Sequence, residues 1–197
     1  MKFLVSTGNP KKLKEINRIL NEIDIDCVCL KDIGLDIDPE ENADTFEGNA
    51  YIKAKAAFEA SGGMPTIADD SGLMVDCLDG APGVYTARYG GEGLSDKERY
   101  MLLIENMKGV PKEKRTARFV SAVCCILPSG EEIYAIGKCE GEIGEEPFGD
   151  GGFGYDPVFY VDGVSFSQMT PSQKDEISHR GRALKILAEK LKGIKLC

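Results

Sequence analysis

At 197 residues and 42% hydrophobic, the chain can bury a core without disulfide or metal staples, and one domain spanning 1–197 is expected. A net charge of −9 excludes broad binding to a nucleic-acid backbone, but leaves room for a small polyanion held by local lysines and a divalent cation. No apolar run approaches the ~20 residues that cross a membrane, and Phe3-Leu4-Val5 is too short a run for a secretory leader, so a cytoplasmic protein with no membrane partner is expected.

KFLVSTGN reads as a strand entering a polar turn. A helix follows from Pro10, capped by Asn9, with Leu13, Ile16, Leu20 and Ile23 on its apolar face. CVCL (27–30) reads as a second strand, and the acidic loop DIGLDIDPEENAD follows it. Asp44, with Glu47 three residues on, predicts the start of a helix that buries Phe46, Ala50, Ala54 and Ala57 and stops at Ser61-Gly62-Gly63. PTIADDSGL predicts a short strand that gives way to a loop at Asp69-Asp70. A turn-rich stretch leads to a helix over 95–107, capped by Ser95 with Glu98. ARFVSAVCCIL and EEIYAIGKCEGEIG, joined by Pro128-Ser129-Gly130, predict an antiparallel hairpin. DPVFYV (156–161) predicts another strand. Thr170-Pro171-Ser172-Gln173 opens one last helix, running to Lys192. Strand–helix alternation followed by a hairpin predicts an α/β fold with a mixed sheet.

The seven cysteines include no C-x-x-C, and there is one histidine, so the thiols are expected to be small buried hydrophobes in a reducing compartment. Gly149, Gly151 and Gly154 spell G-x-G-x-x-G, but a strand is expected after them and no helix. The dinucleotide-binding reading therefore fails, because the pyrophosphate needs a helix N-terminus there.

Four stretches can carry chemistry. STGNPKK (6–12) is a strand–turn–helix junction of the kind that binds anions, with Lys12 as a point charge. Glu40 and Glu41, read with Asp69-Asp70, could hold Mg²⁺. Two adjacent aspartates after Thr66-Ile67-Ala68 need a partner. Lys53 lies near the buried stripe of its helix. Lys174, His179 and Arg180 form a basic helix end suited to an anionic or oxygen-rich ligand.

Five blocks in order, STGNPKK, EENADTFEGNAYIKAKAA, IADDSGLMVDCLDGAPGVYTARYGG, GGFGYDPVF and SHRGRALK, resemble the inosine/xanthosine triphosphate pyrophosphatases, the Ham1-like family. The resemblance implies an elongated two-lobed α/β domain, with a central mixed sheet, flanking helices and a substrate cleft between the lobes. It implies a homodimer that requires Mg²⁺ and hydrolyses ITP, dITP or XTP to the monophosphate and pyrophosphate. By the same resemblance, Thr7, Gly8, Asn9 and Lys12 form the N-terminal substrate loop, and Ser71 is a further substrate contact. Glu41 and Asp70 bind metal. Asp70 also accepts the proton of water, and Lys53 lies near the triphosphate. Phe153, Gly154, Tyr155 and Asp156 form the base-pocket segment, and Lys174, His179 and Arg180 contact substrate from the final helix. A Maf-like nucleotide pyrophosphatase with another base choice is the alternative.

Overall fold

In the computed structural model, which describes residues 2–192 and 194, the first strand, β1 (Lys2–Val5), is apolar and buried from Phe3 onward. Asn9 caps α1 (Pro10–Leu20): its side chain accepts from the Lys11 and Lys12 amides, and Pro10 takes the position where no N–H is needed. β2 (Asp26–Cys29) pairs parallel with β1. α2 (Phe46–Ala60) follows the acidic loop. Its cap is Thr45, one residue later than the expected Asp44, and the Thr45 hydroxyl accepts from the Gly48 amide. Thr45→Ala is therefore expected to cost about 1 kcal/mol in a denaturant titration, with Asp44→Ala close to neutral.

β3 (Thr66–Val75) also pairs parallel with β1, Val5 opposite Ile67. It is a ten-residue strand with Asp69 and Asp70 in its interior, which corrects the expected loop at that place. α3 (Asp96–Asn106) has the expected Ser95–Glu98 capping box. β4 (Thr116–Ile126) and β5 (Glu132–Ile143) are neighbours in the sheet, and the tight turn between them requires an antiparallel pair. β6 (Phe159–Val161) pairs antiparallel with β5, and β7 (Val164–Ser165) with β6. The result is a seven-stranded mixed sheet in the order β2-β1-β3-β4-β5-β6-β7.

Two expected elements differ. The strand predicted over 156–161 begins only at Phe159. Asp156, Val158 and Phe159 donate their amides to Phe153 and Tyr155 carbonyls in successive turns, so these amides are not offered to a neighbouring strand. The single last helix is two, α4 (Pro171–Ile177) and α5 (His179–Lys192), separated by Ser178 in an extended conformation. The Thr170 cap and its box with Gln173 form as expected.

The chain forms two compact units. The first (1–70, 121–137 and 179–197) has a core of Phe3, Val5, Ile16, Leu20, Ile67, Val123, Ala183, Leu184 and Leu187, with α2 packed through Ala50 and Ala54 against Ala68. The second (71–120 and 138–178) is built around Leu73, Leu103, Phe119, Phe159 and Phe166. Cys124, Cys125 and Cys139 are buried as expected, whereas Cys27 and Cys29 are half-buried and Cys77 is exposed; Cys197 lies outside the described residues. Burial pushes the Cys27 thiol up to about 12 and Cys124 to about 11, so both stay protonated and unreactive.

Candidate active site

Side chains alternate across a strand, and β3 uses this to aim its two aspartates apart. Ile67 faces the core beneath α1 and α5, while Ala68 faces α2. Asp69 follows Ile67's side and Asp70 follows Ala68's.

On the α2 side, Asn49 and Lys53 stand one helical turn apart and both reach Asp70. Asn49 Nδ2 donates to Asp70 Oδ2 at 3.3 Å, and Lys53 Nζ lies 3.3 Å from Asp70 Oδ1. Lys53 Nζ also donates to Glu41 Oε2 at 2.7 Å. The acidic loop is held there by the Ala43 amide, which donates to Asn49 Oδ1 at 3.0 Å. Glu40, by contrast, is exposed. Burial and the nearby Glu41 hold the Asp70 carboxyl above the usual carboxylate range, although Lys53 opposes them. Burial acts against the charge on Lys53, but Asp70, Asp69 and Glu41 outweigh it and raise its pKa.

On the other side, Asp69 Oδ2 lies 3.3 Å from Lys12 Nζ and 3.1 Å from Arg180 Nε. Arg180 also donates through Nη1 to Glu15, one turn along α1 from Lys12. Burial would raise the pKa of Asp69, but Lys12, Arg180 and Lys53 outweigh it and hold the carboxyl well below the usual range. Burial is the largest effect on Lys12 and lowers its pKa. Thr7, Gly8 and Asn9 form the turn into α1: Thr7 Oγ1 accepts from the Asn9 amide at 3.2 Å, and a Cβ on Gly8 would meet open space. The chain itself does not require a glycine at position 8, so the open face is free for a close ligand approach.

This cluster holds three cations, Lys12, Lys53 and Arg180, against four carboxylates, Glu15, Glu41, Asp69 and Asp70. The lysines are already matched in charge, so they cannot hold a polyphosphate alone. Glu41 and Asp70 converge on one cationic point, which is the two-carboxylate donor set that Mg²⁺ accepts when phosphates and waters complete its shell. Among the described residues no group of three or more His, Cys, Asp or Glu gathers as a closed metal cage.

In the second unit, Asp156 is buried and its Oδ2 accepts from the Phe153 amide at 2.8 Å and from Lys174 Nζ at 2.7 Å. Lys174 Nζ lies 4.6 Å from the centre of the Phe153 ring. Gly152 has φ +74°, and a Cβ there would strike Asp156 Oδ2. The glycine-rich stretch is therefore a turn wound onto a carboxylate, with no helix after it. Gly154 donates its amide to Asp96 Oδ2 at 2.9 Å. Tyr155 points into the core, with its hydroxyl donated to the Thr86 carbonyl at 3.0 Å. Its backbone is thus the part that a ligand can use. Ser71 sits on β3 directly after Asp70, half-buried.

The structure brings Lys12 and Arg180 together in the first unit, and also Glu41, Lys53 and Asp70. It places Phe153, Asp156 and Lys174 together in the second. Lys174 is separated from His179 and Arg180 by the helix break, and His179 is buried at the start of α5. Asn49 and Glu15 are not singled out by the sequence, and Asp69 is read there only with Asp70 as a possible Mg²⁺ ligand, whereas the structure pairs it with Lys12 and Arg180. The signal for Asn49 was its i, i+4 spacing to Lys53; for Asp69 it was the cost of burying a second adjacent carboxylate.

The architecture defines a mixed-sheet α/β protein whose charged site is carried on the interior of one strand and on the helices at either face of it. The Ham1 family model matches residues 3–190, and the chain belongs to that family. It is 42% identical to the dITP/XTP pyrophosphatase of Clostridium perfringens, covering 98% of each chain. It is 43% identical to that of Escherichia coli K12, covering 97% of this chain and 98% of the other. The solved Ham1 protein of Staphylococcus aureus superimposes with a TM-score of 0.87 at 36% identity, covering 99% of this chain and all of the other.

Proposed function

We propose that this chain hydrolyses deaminated purine nucleoside triphosphates, ITP, dITP and XTP, to the monophosphate and pyrophosphate. It is a hydrolase acting on an acid anhydride. Relatives named for dITP and XTP pyrophosphatase activity match almost its whole length, and nothing favours the Maf-like alternative. The observation that carries the reading to this chain's own residues is the meeting of Glu41, Lys53 and Asp70 at one point.

Glu41 and Asp70 would hold Mg²⁺, which when bound supplies positive charge to the triphosphate oxygens. Asp70, its pKa raised by burial, takes the proton of the attacking water. The water oxygen bonds the α-phosphorus, the bond from that phosphorus to the bridging oxygen breaks, and pyrophosphate leaves with the electron pair. Lys12 and Lys53 stabilise the charge on the leaving group. Phe153 to Asp156, with Lys174, form the segment that reads the base. Hypoxanthine and xanthine offer a 6-keto acceptor where adenine has an amino donor, and a donor placed there rejects adenine. The working form is taken as a cytoplasmic homodimer.

A nucleotide panel tests the reading. Pyrophosphate release from ITP, dITP and XTP with Mg²⁺ is expected at a kcat/KM at least about a hundredfold above ATP and GTP. Chelation of the metal is expected to abolish it. Preference for dTTP or UTP would favour the Maf-like alternative instead.

A further inference from the structure

We infer that Asp69 is a positioning residue for substrate binding, the single acceptor that holds Lys12 of α1 and Arg180 of α5 in one arrangement; the inference rests on the pyrophosphatase reading above. Asp69 is 2% exposed, and one of its oxygens, Oδ2, serves both cations, Lys12 Nζ at 3.3 Å and Arg180 Nε at 3.1 Å. Glu15 takes the other end of Arg180. Two helices that share no sequence neighbourhood are thus tied to the middle of β3 through one carboxylate. Asp70, the next residue, serves the α2 face of the same strand.

Fold stability alone does not account for this arrangement. Four charged groups, Lys12, Glu15, Asp69 and Arg180, are drawn together at a place where an apolar cluster of similar volume would serve stability as well or better. The other Asp69 oxygen, Oδ1, is a buried acceptor with no partner among the described residues, a further cost that packing alone would not retain. What the carboxylate supplies is a fixed place for two cations. Lys12 stands at the start of α1 beside the open face of Gly8, where an anion is favoured. Asp69 is not itself proposed to touch substrate.

Asp69→Asn is the test. An amide can keep its one acceptor oxygen where Oδ2 stands, but it carries no negative charge, so it no longer holds both cations there. With ITP and Mg²⁺, kcat/KM is expected to fall at least about thirtyfold through Lys12 and Arg180, while thermal melting confirms a folded protein. In a cycle with Lys12→Met, the double variant is expected to be no more than about threefold below the worse single one, because both changes remove the same interaction. Parent-like kcat/KM in folded Asp69→Asn, or fully additive losses, would overturn the inference. Should Asp69→Asn fail to fold, Asp69→Glu keeps the charge and moves it by one methylene; full activity there would also overturn it. If the parent protein releases no pyrophosphate from ITP, the functional reading fails separately. The crystal structure of the Asp69→Asn or Asp69→Glu variant then decides the positioning claim: one cation displaced is expected, and both unmoved contradicts it.

Discussion

Asp70→Asn is expected to lower kcat for ITP by about 10²–10⁴-fold and to leave the melting temperature at or slightly above that of the parent. The two halves have one cause. Asp70 is mostly buried, with Glu41 nearby, and its pKa is raised. A carboxyl whose folded pKa lies above its unfolded value is less comfortable ionised in the fold than in water, so neutralising it does not weaken the fold at neutral pH. Asn fits the same space, and its amide can take part in hydrogen bonds with Asn49 and Lys53. It cannot accept the proton of water, and it removes one of the two charges offered to a metal. Near-parent kcat in a folded Asp70→Asn protein would remove Asp70 from the chemistry. A large loss of stability would show the residue to be structural.

Arg180→Met is expected to be the most destabilising single change in the site, by about 3–5 kcal/mol, because it strands Asp69 and Glu15 next to each other with Lys12 alone to balance them. For a chain of this size that corresponds to a fall of roughly 6–20 °C in melting temperature. The effect has a pH signature. Arg180 helps hold Asp69 below the usual carboxylate range, so in the parent that group contributes stability that is full above the ordinary value of about 3.9 and is lost as pH falls through the lowered native value. In the variant the lowering is smaller. The stability gap between the two proteins is therefore widest at neutral pH and narrows on acidification below about pH 4. Denaturant titrations at neutral pH and at low pH measure it directly, and a gap that is small or independent of pH counts against the pairing.

What could be read from the sequence follows a physical division. Local signals worked where the determinants are local. The Asn9 cap with Pro10, the Ser95–Glu98 box and the Thr170–Gln173 box all formed as expected, because a cap needs only a side chain and the amides two or three residues on. The one-residue error at α2 has the same origin. Asp44 and Thr45 are both good caps, and Glu47 stands at box distance from the first, so only the real turn tells them apart.

Tertiary demands were the part that local reading missed. Two aspartates look like the end of a strand until Lys12, Lys53, Asn49 and Arg180 arrive from three helices to satisfy them. The apolar spacing of the last helix runs smoothly across Ser178. The break there accompanies an unusually close approach: a Cβ at Gly137 would strike the His179 carbonyl and the backbone of Ala183. Nothing within 171–192 announces a glycine forty residues away. The short β6 is an intermediate case. Asp156 looked like the head of a strand, but its carboxylate is bound back onto the Phe153 amide and out to Lys174. The five blocks that carried the family resemblance reached most of the proposed site, while Asp69, sitting inside one of them, was overshadowed by its neighbour.

The phosphorus atom that water attacks distinguishes this hydrolysis from its alternatives. Turnover of ITP by the parent protein in H₂¹⁸O with Mg²⁺, followed by mass spectrometry of both products, measures this. One ¹⁸O is expected in inosine monophosphate and none in the released pyrophosphate. Label in the pyrophosphate, or inosine diphosphate and phosphate as products, would contradict it.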